Sequence, residues 1–147
     1  MSKRDFVFAL SAIFLTLSLA AEAQQPAKIP RIGYVSGSGS PSSPEPLLDA
    51  LRQGLRKLGY TEGENISIEY RYAEEKLERV PILVDELVQL KVNVLVLPGL
   101  PAIRAAKQAT TTIPIVFVGS ADPVDAGLVD SLARPGGNLT GLASMTN

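Results

Sequence analysis

The 147-residue chain has no cysteine, no histidine and no tryptophan, and only four tyrosines and four phenylalanines. Without cysteine there is neither a disulfide framework nor the lipid-modified cysteine that tethers many exported bacterial proteins. Without cysteine and histidine the usual zinc sites and thiol or imidazole nucleophile systems are excluded, which leaves mainly carboxylates for metal or acid-base work. Neither sign of charge is in excess: 14 basic residues face 15 acidic ones, for a net charge of -1. No basic patch of the kind that follows a phosphate backbone stands out, so nucleic acid is not an expected partner. No cofactor is expected.

Long apolar runs are also missing, with one exception, Phe6 to Leu19, which follows Lys3 and Arg4. At about fourteen residues it is short of the roughly twenty that span a bilayer. It is followed by Ala21-Glu22-Ala23, a small-x-small cleavage pattern. Residues 1–23 therefore read as a secretory signal peptide cleaved after Ala23. An uncleaved membrane anchor is the competing reading, since Asp5 is unusual in such a leader. Removing Lys3, Arg4, Asp5 and Glu22 together leaves the charge balance unchanged. Residues 24–147 suit one domain, exported to the periplasm.

Within that domain apolar periodicity alternates between two and 3.6 residues. Arg31 to Ser36 reads as a strand running into Gly37-Ser38-Gly39-Ser40, and Leu47, Leu48, Leu51, Leu55 and Leu58 form one helical face expected to pack on a sheet. The helix start has two readings. Ser42 with Glu45 has capping-box spacing, but Ser43 as cap puts Pro44 at the first helical position and is preferred. Gly59 supplies a left-handed stop.

Asn65 to Tyr72 alternates as a second strand, with Ile66, Ile68 and Tyr70 on one side, and Val80, Leu83, Val84 and Leu87 mark a second helix with Pro81 in its first turn. Val92 to Leu97 is nearly all apolar, Asn93 excepted, as in a central parallel strand. Pro101 to Thr110 follows as an Ala-rich helix, and Ile113 to Val118 as a fourth strand. Asp122-Pro123-Val124-Asp125 has the form of a capped helix start leading to Leu128, Val129 and Leu132, ended by Pro135-Gly136-Gly137-Asn138.

Strand and helix in alternation predict βαβ units and a doubly wound parallel sheet of the α/β class. Ligands of such sheets lie beyond the carboxyl ends of the strands. Topology thus nominates Ser36, Gly37, Gly99, Leu100, Pro101, Ala102, Gly119, Ser120 and Asp122 as ligand-binding candidates. Each also has a plainer reading. Gly37-Ser38-Gly39 lacks the third glycine of a dinucleotide loop, and Glu74 and Glu75 lie too far on for the ribose contact, so a flexible loop is the simpler reading. Asp122 either meets a ligand ammonium or caps its helix. The amides after Pro101 and Pro123 could face an anion, as helix starts do in every α/β domain. Asn138-Leu139-Thr140 matches a glycosylation sequon that carries no weight beside a bacterial-style signal.

The same residues carry a family resemblance. Arg31-Ile32-Gly33-Tyr34, the run Arg52 to Tyr60, Glu62-Gly63-Glu64-Asn65-Ile66, Ile68-Glu69-Tyr70-Arg71 and Pro114-Ile115-Val116-Phe117 resemble the ABC-transporter substrate-binding family of the tryptophan/tyrosine-transport-like type. The likeness continues through Asp122-Pro123-Val124, Ala126-Gly127-Leu128-Val129 and Leu132 to Gly141. It implies one lobe of a type I periplasmic-binding fold, in which two α/β lobes close on a small solute, plausibly an amino acid, and deliver it to an ABC permease in the membrane.

Similar proteins are far longer, and Leu139-Thr140-Gly141 resembles the first crossover into a second lobe. Residues 24–147 are on this reading the N-terminal lobe, with the second lobe absent. Leu100 stands where the family commonly has a small hydroxyl residue, which removes a group that could anchor a ligand carboxylate. A non-enzymatic binding protein is the favoured function. An enzyme on the same kind of sheet, using Asp122, Asp125 and Glu45, and a nonfunctional truncated product are the alternatives. Export carries a direct test: N-terminal sequencing of periplasmic material is expected to start at Gln24, and retained Met1 would rule the cleavage out.

Overall fold

The computed structural model describes residues 28–119, 122–131 and 137–143. The segment expected to be a signal peptide, Ser120 and Leu132 to Gly136 lie outside them. The elements are β1 (Arg31–Ser36), α1 (Pro46–Lys57), β2 (Ser67–Tyr72), a 3-10 turn (Leu77–Arg79), α2 (Val80–Gln89), β3 (Val94–Pro98), α3 (Leu100–Ala109), β4 (Ile115–Gly119) and β5 (Leu139–Ala143). The five strands form one sheet in the order β2-β1-β3-β4-β5, every neighbouring pair parallel. The expected α/β class and parallel sheet are what the chain adopts.

Strand alternation distributes the core over both faces of that sheet. Val35, Leu95, Leu97, Ile115 and Phe117 point to one side, where Val80, Leu83, Val84 and Leu87 of α2 and Ala102, Ile103 and Ala106 of α3 cover them. Ile32, Tyr34, Ile68 and Val96 point to the other side, against Leu48, Leu51 and Leu55 of α1. The apolar run of β3 is thus covered from above and below, the condition for a central parallel strand. Gly33 lies under α2: a Cβ there would stand 2.8 Å from Leu95 Cδ2 and 3.0 Å from Leu87 Cδ1, so the missing side chain sets how closely the helix approaches.

Three expectations are corrected. Helix α1 begins at Pro46, not after Ser43. Ser43 is engaged in a turn of its own, its Oγ accepting from Ser40 N at 2.8 Å and donating to Ser40 O at 2.9 Å. Glu45, caught before a proline, is held extended at φ -126° and ψ 88°, because the ring of the following proline crowds the helical conformation.

Leu58 is 76% exposed and takes no part in the core. Helix α1 closes one residue earlier: Gly59 turns left-handed at φ 86°, Tyr60 N bonds Leu55 O at 2.9 Å and Gly59 N bonds Arg56 O at 3.0 Å. This is the expected glycine stop, in its two-bond form.

No helix forms over 122–131. Asp122 Oδ1 does accept from Val124 N at 2.7 Å and Asp125 N at 3.3 Å, as a cap would. The chain then makes one turn and is stopped by Gly127 at φ 68°, with Leu128 N bonded back to Pro123 O at 2.8 Å. Leu128 and Val129 still reach the core, and Lys107 Nζ fastens the segment by donating to Leu128 O at 2.7 Å.

Leu139-Thr140-Gly141 pairs with Ile115 to Phe117 as part of edge strand β5. Asn138 of the sequon is a structural tie, its Nδ2 donating to Ile113 O at 2.7 Å and Thr110 O at 3.2 Å. Among the described residues no helix is long and apolar enough to cross a membrane.

The two leucines separate core from surface. Leu95→Ala, at a fully buried position of β3, is expected to cost about 2–5 kcal/mol in urea unfolding, and Leu58→Ala to stay within about 0.5 kcal/mol of wild type.

Candidate functional site

The strand order reverses at β1. Helix α1 carries the chain outward to β2 on one face, and α2 brings it back past β1 to β3 on the other. Connections therefore leave in opposite directions from the carboxyl ends of β1 and β3 and part there, which opens a crevice at the switch point. A cavity of about 670 Å³ occupies it. Its floor is Tyr34, Ser36 and Pro98. Its walls are the Gly37 to Gly39 loop, the Ser43 to Leu47 entry of α1, the approach to α2 at Glu75, Leu77 and Val80, and the start of α3 at Gly99, Pro101 and Ala102.

Local backbone chemistry places these groups. Ser36 is buried, its Oγ accepting from Gly39 N at 2.9 Å to fold the loop back over the strand end. Gly39 has no room for a side chain, since a Cβ would stand 2.6 Å from Ser36 Oγ and closer still to Glu45 Oε1. Gly99 precedes α3 at φ 90° and ψ 143°, a conformation open to glycine and strained for other residues. At the approach to α2, Glu74 and the cavity-lining Glu75 both adopt positive φ, 54° and 65°, with Glu75 N bonded to Gly37 O at 3.0 Å.

Of the nine residues nominated from sequence, the structure gathers Ser36, Gly37, Gly99, Pro101 and Ala102 around this cavity. Leu100 is not among the lining residues, because its side chain packs against the core beneath α3. Gly119 pairs with Ala143 of β5 and Asp122 caps its turn; neither lines the cavity. Ser120 lies outside the described residues.

Sequence reasoning missed Tyr34 as a lining residue and gave Glu45 only a capping-box role and a place in an enzymatic alternative. Tyr34 is 1% exposed and its hydroxyl donates to Glu45 Oε2 at 2.7 Å. The signal that could have located Glu45 is its position between Pro44 and Pro46, which fixes an acidic side chain at a helix entry in extended backbone.

Tyrosines continue from the cavity floor toward the β2 edge. Tyr34 meets Tyr70 edge to face with centroids 6.3 Å apart, and Tyr70 stacks on Tyr72 at 6.4 Å. The Tyr70 hydroxyl donates to Glu62 Oε1 at 2.5 Å and accepts from Arg52 Nη2 at 2.8 Å. Burial, then the bond to Glu45, pushes the Tyr34 phenol well above the usual tyrosine range. Burial and the bond to Glu62 do the same to Tyr70 against the opposing pull of Arg52. Among the described residues no group of three or more carboxylates gathers as a metal site.

Fold and crevice define the class: an α/β unit with an open crevice at the mouth of a parallel sheet. Residues 41–147 match the family model for "ABC transporter substrate binding protein", and the chain belongs to that family. It is 36% identical over 100 residues to the "Tyrosine-binding protein" of Clostridioides difficile (strain R20291), a match covering 65% of this chain and 29% of that protein.

Two solved structures share the fold. The crystal structure of a conserved domain protein from Vibrio cholerae O1 biovar El Tor superposes with a TM-score of 0.68 at 36% identity, covering 79% of this chain and 39% of that one. An ABC domain in complex with L-Trp from Streptococcus pneumoniae gives 0.65 at 28% identity, covering 78% and 38%. The chain thus spans well under half the length of the relatives it matches.

The raised tyrosines set an alkaline limit on stability. An unfolded tyrosine loses its proton near pH 10 whereas Tyr34 and Tyr70 keep theirs in the fold, so their contribution is complete below about pH 10 and is lost as pH rises toward the folded values. Urea midpoints are expected to fall from about pH 10 upward, and Tyr34→Phe is expected to make that fall shallower.

Proposed function

We propose that this chain is the first lobe of an extracytoplasmic solute-binding protein of an ABC importer, taking a small amino acid with an aromatic side chain and presenting it to a membrane permease. The observation that carries the reading is the switch-point cavity. Its volume, about 670 Å³, lies within the roughly 300–1,000 Å³ of small-molecule sites. Its walls are apolar at Leu47, Leu77, Val80, Pro98 and Pro101, with few polar groups.

A tyrosine-binding relative and an L-Trp-bound neighbour support an aromatic amino acid as the ligand class. Binding and not catalysis is the role this reading takes, supported by the substrate-binding family to which the chain belongs. The second lobe that the family resemblance implies would add a further wall to the cleft and exclude water from it, and much of the affinity would then depend on that wall.

The full chain is expected to bind L-phenylalanine, L-tyrosine or L-tryptophan at this cavity with a dissociation constant weaker than about 1 μM, read by amide chemical-shift changes at Ser36 to Gly39 and Gly99 to Ala102. Submicromolar binding would show that one lobe suffices, and no shift at these residues with any of the three would overturn the assignment.

A further inference from the structure

Glu45 is the charged group at the heart of this cavity, and its two oxygens are treated differently. Oε2 accepts from the Tyr34 hydroxyl at 2.7 Å. Oε1 is fully buried and has no hydrogen-bond partner. An ionised carboxylate is acceptor-only and has room for several donors, and a buried charged acceptor without one carries a large desolvation penalty. Nothing in the protein wall is placed to supply that donor: the cavity is lined by two acids, Glu45 and Glu75, and by no lysine or arginine. Arg52 of α1 is engaged with Tyr70, Glu62 and Asp49 and does not line the cavity.

We infer that Glu45, held by Tyr34, is the group that recognises a cationic amine on the ligand, so that this lobe selects for ammonium-bearing solutes. The inference rests on the amino-acid reading above and gives that ligand an orientation, amine toward α1 and carboxylate away from this wall. An ammonium has three N–H donors and forms short charge-assisted bonds to carboxylates. The wall that would meet it is acidic on both sides, at Glu45 from the α1 entry and Glu75 from the approach to α2. A ligand carboxylate in the same place would be repelled by both.

Access is governed by the loop above Oε1. Gly39 abuts that oxygen with no space for a Cβ, and the loop is pinned there through one side-chain bond, Gly39 N to Ser36 Oγ. Entry of an ammonium replaces Gly39 as the group packed on Oε1, and the two glycines at 37 and 39 allow the loop to yield.

The test compares L-phenylalanine, 2-phenylethylamine (amine without carboxylate) and 3-phenylpropionate (carboxylate without amine) on the full chain by chemical-shift titration, in wild type, Glu45→Gln and Glu45→Asp. Expected are wild-type affinities for the two amines at least roughly ten-fold above that for 3-phenylpropionate, the range of a charge-assisted hydrogen bond. That gap is expected to collapse in Glu45→Gln and shrink in Glu45→Asp, which keeps the charge but withdraws it.

Equal wild-type affinity for phenylalanine and 3-phenylpropionate overturns the role of Glu45 and leaves the amino-acid reading standing. So does an undiminished gap in whichever variant folds. Binding of 2-phenylethylamine without phenylalanine does the reverse, and binding of none of the three overturns both.

Discussion

Everything in this lobe follows from the placement of β1, which must be paired on both edges and covered on both faces. Its residues Ile32 to Ser36 are buried without a break, with β2 on one side and β3 on the other. A right-handed crossover from β1 to β2 puts α1 on one face, and the return to β3 puts α2 on the other. The two connections diverge at the strand ends, and the crevice between them cannot be filled by either. The site is therefore a consequence of sheet order before it is a matter of side chains, and the side chains refine it.

What refines it is a small set of backbone constraints. The Pro44-Glu45-Pro46 run delays α1 and holds Glu45 extended where a helix would have turned it away. Gly99 takes a conformation that lets α3 begin directly at the end of β3. The left-handed pair Glu74 and Glu75 turns the chain from β2 toward α2 at the cavity rim. Strain of about 1–3 kcal/mol at each such residue persists only where surrounding structure imposes it, and here the bonds of Ala73 N to Ser36 O and Glu75 N to Gly37 O do so.

Much of the architecture was legible in the sequence because its signals are periodic. Val80, Leu83, Val84 and Leu87 face the core as their spacing requires, and the unbroken apolar run of β3 marked it as central. The strand-end loops followed from topology, which is why five of nine nominated residues surround one cavity. Legibility failed where the outcome depends on competition between local bonds. Ser43 had two roles open to it and the turn with Ser40 took it from the helix. Asp122 capped a turn as its type predicts, but Gly127 ended that turn before a helix could grow. Leu100 was judged by its place before Pro101, whereas its side chain is claimed by the core. Position in a loop near a strand end does not say which way a residue points.

The same limit explains why Tyr34 and Glu45 went unremarked as a pair. In a strand, Tyr34 reads as one more apolar residue alternating with Ile32, and its hydroxyl matters only because the sheet ends two residues later. Glu45 reads as a charge near a helix start, where an acid is ordinarily solvated and favourable to the dipole. Folding brings the two within hydrogen-bonding distance beneath Gly39 and converts a surface charge into a half-buried one. An aromatic hydroxyl that fixes one carboxylate oxygen also restricts the other, so the unmatched acceptor has a defined place beneath Gly39. That geometry is specific in a way that neither residue type nor spacing could be.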